Sequence, residues 1–229
     1  MPSRTLPMVL WAALLLVSFP ALAQFNKYQN GWFVLRVSPQ HLLLSGLHLD
    51  VEKQLKQAGT QSLLFSPRVY WGTTRFVDNF TVRQEQPEDK SRVKGFGAEL
   101  QHRLYSTDLI DLYDHNFYFG YGVNFHRFGI RFRKEGWGEE LGEDGLYYYR
   151  LGPDRPFKEV VNRLGAVLYL GLQERFLSDR LLVDLHLAMG YTHSSGSSSY
   201  PSLRYNRNML DYGYTGFYLY PGVKLGVVL

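Results

Sequence analysis

The chain has 229 residues, no cysteine, and a formal net charge of +4 from 25 Lys and Arg against 21 Asp and Glu. The lack of cysteine excludes a disulfide framework and a thiolate metal site, and so small and dispersed a charge argues for no nucleic-acid partner. Aromatic residues make up 16% of the chain, with 17 Tyr, a composition suited to membrane interfaces.

Met1 to Ala23 reads as a cleaved signal peptide. Arg4 supplies the basic region, Leu6 to Phe19 the apolar core, and Ala21 and Ala23 the small-residue cleavage pattern. Gln24 follows the cleavage site, so no lipoprotein cysteine is available there. Residues 24–229 are then expected to form one domain, and none of their apolar runs reaches the length of a helical span.

Those residues alternate with period two, the signature of strands. In Trp32 to Val37, Phe33, Leu35 and Val37 oppose Arg36. After a link at Ser38 to Gln40, Leu43, Ser45, Leu47, Leu49 and Val51 oppose Gly46, His48, Asp50 and Glu52. A polar turn at Lys53 to Gln61 leads to Leu63, Phe65, Pro67, Val69 and Trp71, opposite Ser66, Arg68, Tyr70 and Gly72. Pro67 is awkward there, because proline cannot donate to a ladder on both sides. Residues 74–92 read as a polar loop.

Phe96, Ala98, Leu100, His102 and Leu104 next oppose Gly95, Gly97, Glu99, Gln101 and Arg103. Beyond a connection near Asp108 to Asn116, Phe117, Phe119, Tyr121, Val123 and Phe125 oppose Tyr118, Gly120, Gly122, Asn124 and His126. A second loop is expected from about Arg131 to Val160. It carries an acidic patch (Glu135, Glu139, Glu140, Glu143, Asp144) beside Tyr147, Tyr148 and Tyr149.

The clearest hairpin joins Leu164 to Phe176 with Leu181 to Thr192 through a polar turn at Leu177 to Arg180. Its polar face includes Arg163, Arg175, Asp184 and His186. A third loop, about Ser194 to Gly213, precedes a last strand from Gly216 to Leu229, whose second face holds Tyr218, Tyr220, Gly222, Lys224 and Gly226.

Glycine decides which face meets lipid. A solvated sheet face is normally filled with Thr, Lys, Glu or Arg, since glycine weakens a strand and packs nothing. Glycines interleaved with Tyr and ionisable groups suit the crowded lumen of a small barrel instead. The expected fold is therefore all-β: an eight-stranded antiparallel up-and-down transmembrane barrel following a cleaved signal peptide. Short connections alternate with three long loops, as periplasmic turns and extracellular loops do in bacterial barrels.

The signal peptide, the segment Leu42 to Leu55 (LLLSGLHLDVEKQL), the Gly/Tyr alternation and the terminal strand together resemble the eight-stranded outer-membrane barrels of the OmpA and OmpX type, in particular the small barrel proteins of Bacteroidota. That resemblance implies the bacterial outer membrane as location, outer-membrane lipid as surroundings and the barrel-assembly machinery as a partner during insertion. The final Leu229 departs from the terminal aromatic residue that such machinery favours. With the last strand ending the chain, no periplasmic peptidoglycan-binding domain is expected.

The lumen is expected to hold Arg36, His48, Asp50, Glu52, Arg68, Glu99, Arg103, His126, Arg163, Arg175, Asp184, His186 and Lys224. Eight strands leave an interior that side chains just fill, and buried charges persist when paired. The expected role is thus structural or interactional, through the loops and an extracellular or outer-membrane protein partner. There is no catalytic residue, metal or cofactor in this reading. The alternative is a narrow porin-like channel for ions or small solutes.

The acidic patch could hold a divalent cation, but it lacks the ligand spacing of a calcium loop. His193 and Ser195 are similar to the His-x-Ser motif of lipid A deacylases, where His activates a Ser nucleophile. The Asn that follows that Ser in the family is Gly196 here, and no glutamate follows Glu174.

Overall fold

The computed structural model describes residues 33–55, 61–74, 76–77, 91–106, 116–134, 137–151, 155–177, 180–200 and 202–229. The signal peptide, Trp32, most of the 53–61 turn, Glu135 and Asp179 lie outside the described residues.

Among the described residues ten strands occur in chain order: β1 Phe33–Val37, β2 Gly46–Gln54, β3 Gln61–Thr73, β4 Arg92–Ser106, β5 Asn116–Lys134, β6 Trp137–Leu141, β7 Tyr147–Leu151, β8 Arg155–Phe176, β9 Leu181–Ser198 and β10 Gly216–Val228. Eight of them close a barrel in the order β1-β10-β9-β8-β5-β4-β3-β2, while β6 and β7 form a separate hairpin. Closure removes sheet edges that would otherwise present unpaired backbone groups. Every barrel pairing is antiparallel. The chain end lies beside the chain's first strand, with the Leu229 N–H donating to the Phe33 carbonyl at 2.8 Å.

Side-chain parity separates two environments. Val167 and Tyr169 are 2% and 1% exposed, whereas Leu168 and Leu170 between and beside them are 43% and 47% exposed. The same contrast holds around the ring, so the apolar face points outward and the glycine-rich polar face points in. Gly171 shows why glycine is required inside: a Cβ there would overlap the ring of Tyr118.

Three boundaries differ from the sequence expectation. The loop expected at 131–160 is largely strand, because Ile130, Phe132 and Val161 continue the inward apolar alternation and are buried. Between these extended strands, the β6–β7 turn is closed by the Gly142 N–H donating to Leu146 O at 2.8 Å, with Gly145 at φ +76°. Strand β9 likewise runs to Ser198, into the loop expected from about Ser194. Finally, Leu43 to Ser45 does not start a strand. Pro39–Leu44 forms a 3₁₀ turn ended by Ser45 at φ 57°, since Pro at the first helical position favours a turn and cannot donate to a ladder.

That turn shortens the barrel wall. β1 pairs with only Leu225 to Val228 of β10, and the turn packs beside the rest of β10. Pro221, which has no N–H to leave unpaired, falls in this stretch. Pro67 has a similar resolution: the β2–β3 pairing lapses between His48–Arg68 and Val51–Phe65, while Pro67 still faces Ala98 on β4.

The end carrying the long connections is closed by a cluster of buried apolar side chains. Tyr70, Val93, Phe128, Ile130, Tyr205 and Tyr212 are among its members. The Tyr205 hydroxyl donates to Thr74 at 3.3 Å and the Tyr212 hydroxyl to Leu44 O at 3.3 Å, tying the β9–β10 loop across the mouth.

Candidate functional site

Strand alternation delivers ionisable side chains to the lumen at successive depths, and opposite charges meet there. Lys224 of β10 reaches Asp50 of β2 at 2.5 Å. Arg68 of β3 reaches Glu99 of β4 at 2.6 Å, and Arg103 of β4 reaches Asp184 of β9 at 2.7 Å. Arg36 of β1 pairs with Glu52 of β2, both fully buried. Four cations thus face four carboxylates, consistent with the rule that a charge leaves water only with compensation.

The lower part of this network, toward Phe33 and Leu229, is the most connected. Asp184 also accepts from the Tyr118 hydroxyl at 2.8 Å and lies 3.8 Å from Arg36 Nε. Glu52 accepts from the hydroxyls of Ser62 and Tyr105. With its amide oxygen turned toward them, Gln173 accepts from Arg36 at 2.9 Å, Arg103 at 2.7 Å and Tyr105 at 3.0 Å. The Arg103 guanidinium lies 4.2 Å from the centre of the Tyr118 ring, a cation–π contact.

Higher in the lumen, Tyr169 donates to Glu99 at 2.8 Å, and Arg68 donates to His126 Nε2 at 3.0 Å. His48 and the Tyr70 hydroxyl share a hydrogen bond of 2.9 Å. His186 Nδ1 lies 3.3 Å from Asp184. Arg163 is half-buried with its guanidinium 5.3 Å from the Phe128 ring centre, and Arg175 is half-buried at the opposite rim. Arg163 faces His126 across β5 and β8.

Reading by parity does not reveal His41, which belongs to the 3₁₀ turn and stacks on His48 at 3.6 Å between ring centres. It also overlooks the tyrosines as network members. Their alternation with glycine was visible, but their acceptors lie on distant strands.

Outside the lumen, the other candidates do not converge. His193 and Ser195 share the outward face of β9, opposite Leu164 and Asn162. Among the described residues neither has a side-chain hydrogen bond, and Asp211 is occupied by the backbone N–H groups of Arg207 and Asn208. In the β6–β7 hairpin, Tyr148 and the Leu146 N–H donate to Asp144 and hold its carboxyl below the usual range, while Tyr149 donates to Glu139. Among the described residues no three acidic or histidine side chains gather as a metal site. A shallow concavity of about 610 Å³ lies over outward residues such as Leu170, Leu185, Leu187 and Val223, so it belongs to the apolar exterior.

No protein-family profile matches the chain, and no curated protein matches its sequence. Among solved structures it is similar to a major outer membrane protein from Thermus thermophilus, with a TM-score of 0.51 and 11% identity over 88% of this chain and 100% of that one. Matches to Acinetobacter baumannii CarO and CarO2 have TM-scores of 0.43 and 0.36 at 9% and 12% identity. They cover 90% and 87% of this chain and 99% and 98% of theirs. The chain has the fold of an outer-membrane β-barrel.

Proposed function

We propose that this chain is an integral outer-membrane protein of the small OmpA/OmpX-like kind with a closed lumen, and that its role is structural or interactional rather than enzymatic. The observation that supports this reading is the filled interior: paired charges cross it, and the apolar cluster covers one mouth. An eight-stranded barrel leaves an interior that side chains just fill, and here opposite charges meet across it. Partners would then meet the long connections and the β6–β7 hairpin, where Leu141, Tyr147 and Tyr149 are 60%, 69% and 67% exposed.

The membrane part of the proposal rests on the outer wall. Leucine, phenylalanine and valine side chains 38–61% exposed cover adjoining strands, far more contiguous apolar surface than a soluble monomer keeps. Cell fractionation is expected to recover the protein with the outer membrane. Recovery in the soluble periplasm would falsify the assignment.

In planar bilayers the wild-type barrel is expected to carry little steady current. A stable ohmic current whose ion selectivity changes with Lys224→Glu would overturn the closed lumen and establish a narrow channel in its place.

A further inference from the structure

A row of like charges crosses three neighbouring strands on the outer wall. Arg92 of β4 faces Arg131 of β5, and Arg131 faces Lys158 of β8. All three side chains are exposed, as are Lys94 and Arg127 on the same outward faces nearer the middle of the barrel. Among the described residues, none of these five cations forms an ion pair.

The arrangement is unfavourable on its own. Neighbouring strands are about 4.8 Å apart, so the three registered cations fall within about 10 Å of one another, and like charges directly opposite are destabilising. They cannot turn inward, because the inward residues next to them, Val93, Ile130 and Phe157, lie in or pack against the buried apolar cluster. An anion on the outside relieves the repulsion.

The position indicates which anion. Toward mid-barrel the same outward faces become mostly apolar along Phe96 to Leu104, Phe117 to Phe125 and Leu164 to Leu172. Each stretch matches the length of about 9 to 11 residues that a transmembrane strand needs. Trp71, 47% exposed and paired with Lys94, marks the interface as such residues do. The cations therefore stand at headgroup level, at the end carrying the long connections. Arginine's planar fork matches phosphate oxygens in pairs.

We propose that Arg92, Lys94, Arg127, Arg131 and Lys158 bind the phosphate-bearing headgroup of an outer-leaflet glycolipid. This rests on the membrane reading above. The barrel purified in zwitterionic detergent is titrated with bis-phosphorylated lipid A, with the same glycolipid stripped of phosphate, and with inorganic phosphate, and bound lipid is counted by native mass spectrometry. The phosphorylated glycolipid is expected to bind at least about tenfold more tightly than the stripped one. Each cation removed is expected to weaken it about fivefold, so Arg131→Gln with Lys158→Gln costs about 25-fold, and each single variant is measured alongside.

Lys53→Gln, at the opposite end of the barrel, is expected to change nothing. In lipid-free micelles Arg131→Gln is expected to unfold no earlier than wild type, which separates lost binding from lost folding. Equal binding of the two glycolipids, or unchanged binding by the single variants, overturns the proposal. Displacement of the glycolipid by inorganic phosphate at matched concentration reassigns the row to a free anion and overturns it as well. A barrel that never enters a bilayer refutes the membrane reading instead.

Discussion

Replacing Asp184 with leucine is expected to destabilise the barrel by about 3 to 5 kcal/mol, the usual consequence of leaving a buried charge without its partner. Asp184 is fully buried and holds Arg103 at 2.7 Å, the Tyr118 hydroxyl at 2.8 Å and His186 at 3.3 Å. With the carboxylate gone, the Arg103 guanidinium keeps, among the described residues, only Glu52 at 3.5 Å as an ionic partner, while Glu52 is already engaged by Arg36. Asp184→Arg is expected to prevent folding. The measurement is the urea midpoint in micelles, compared with a second pair: Lys224→Met with Asp50→Leu should cost less together than either alone, since removing both partners leaves nothing uncompensated. If the double change costs the sum of the singles, the two groups are not coupled and the pairing is wrong.

An arginine at Leu168 or Leu187 is expected to cost about 2 to 4 kcal/mol in a lipid bilayer, because a charge on the lipid face near the midplane is expensive. Both leucines are 43% exposed on the outer wall, and Leu187 faces both Leu170 and Pro221 across neighbouring strands. The penalty depends on depth. Ser197→Arg lies on the outward face of β9 beyond the apolar stretch and is expected to change stability by less than about 1 kcal/mol. Refolding into vesicles, followed by the slower gel mobility of the unfolded form, distinguishes the three variants. Equal penalties at Leu168 and Ser197 would mean that the outer wall is not graded by a bilayer. Gln173 is not a neutral lumen control for this series, since it is buried among Arg36, Arg103 and Tyr105.

The strands were legible because period-two alternation is a local property. Leu164 to Phe176 and Leu181 to Thr192 show it without reference to any other part of the chain, and β8 and β9 pair there in one continuous register. The extensions were not legible for the same reason: Arg131, Arg133 and Lys158 on the outward face look like loop residues until Ile130, Phe132 and Val161 are seen to share a buried cluster. At the β1–β2 link, Pro39 halts strand geometry, but whether the chain then loops away or turns back beside β10 depends on contacts more than a hundred residues distant.

Many of the inward charges were legible in the sequence, since parity assigns each strand side chain to one face and glycine identifies that face as the crowded one; His41 of the 3₁₀ turn and Glu159, buried in a stretch read as loop, were not. Which cation meets which carboxylate was decided only by the tertiary structure. Strand stagger brings Lys224 to Asp50 across 174 positions and Arg103 to Asp184 across 81, and no local pattern encodes that depth. The like-charged row on the outer wall has the same origin. Arg92, Arg131 and Lys158 are ordinary surface cations when read singly in the sequence, and only the register of β4, β5 and β8 sets them side by side, because hydrogen-bonded neighbours in a sheet are chosen by the closure of the whole ring.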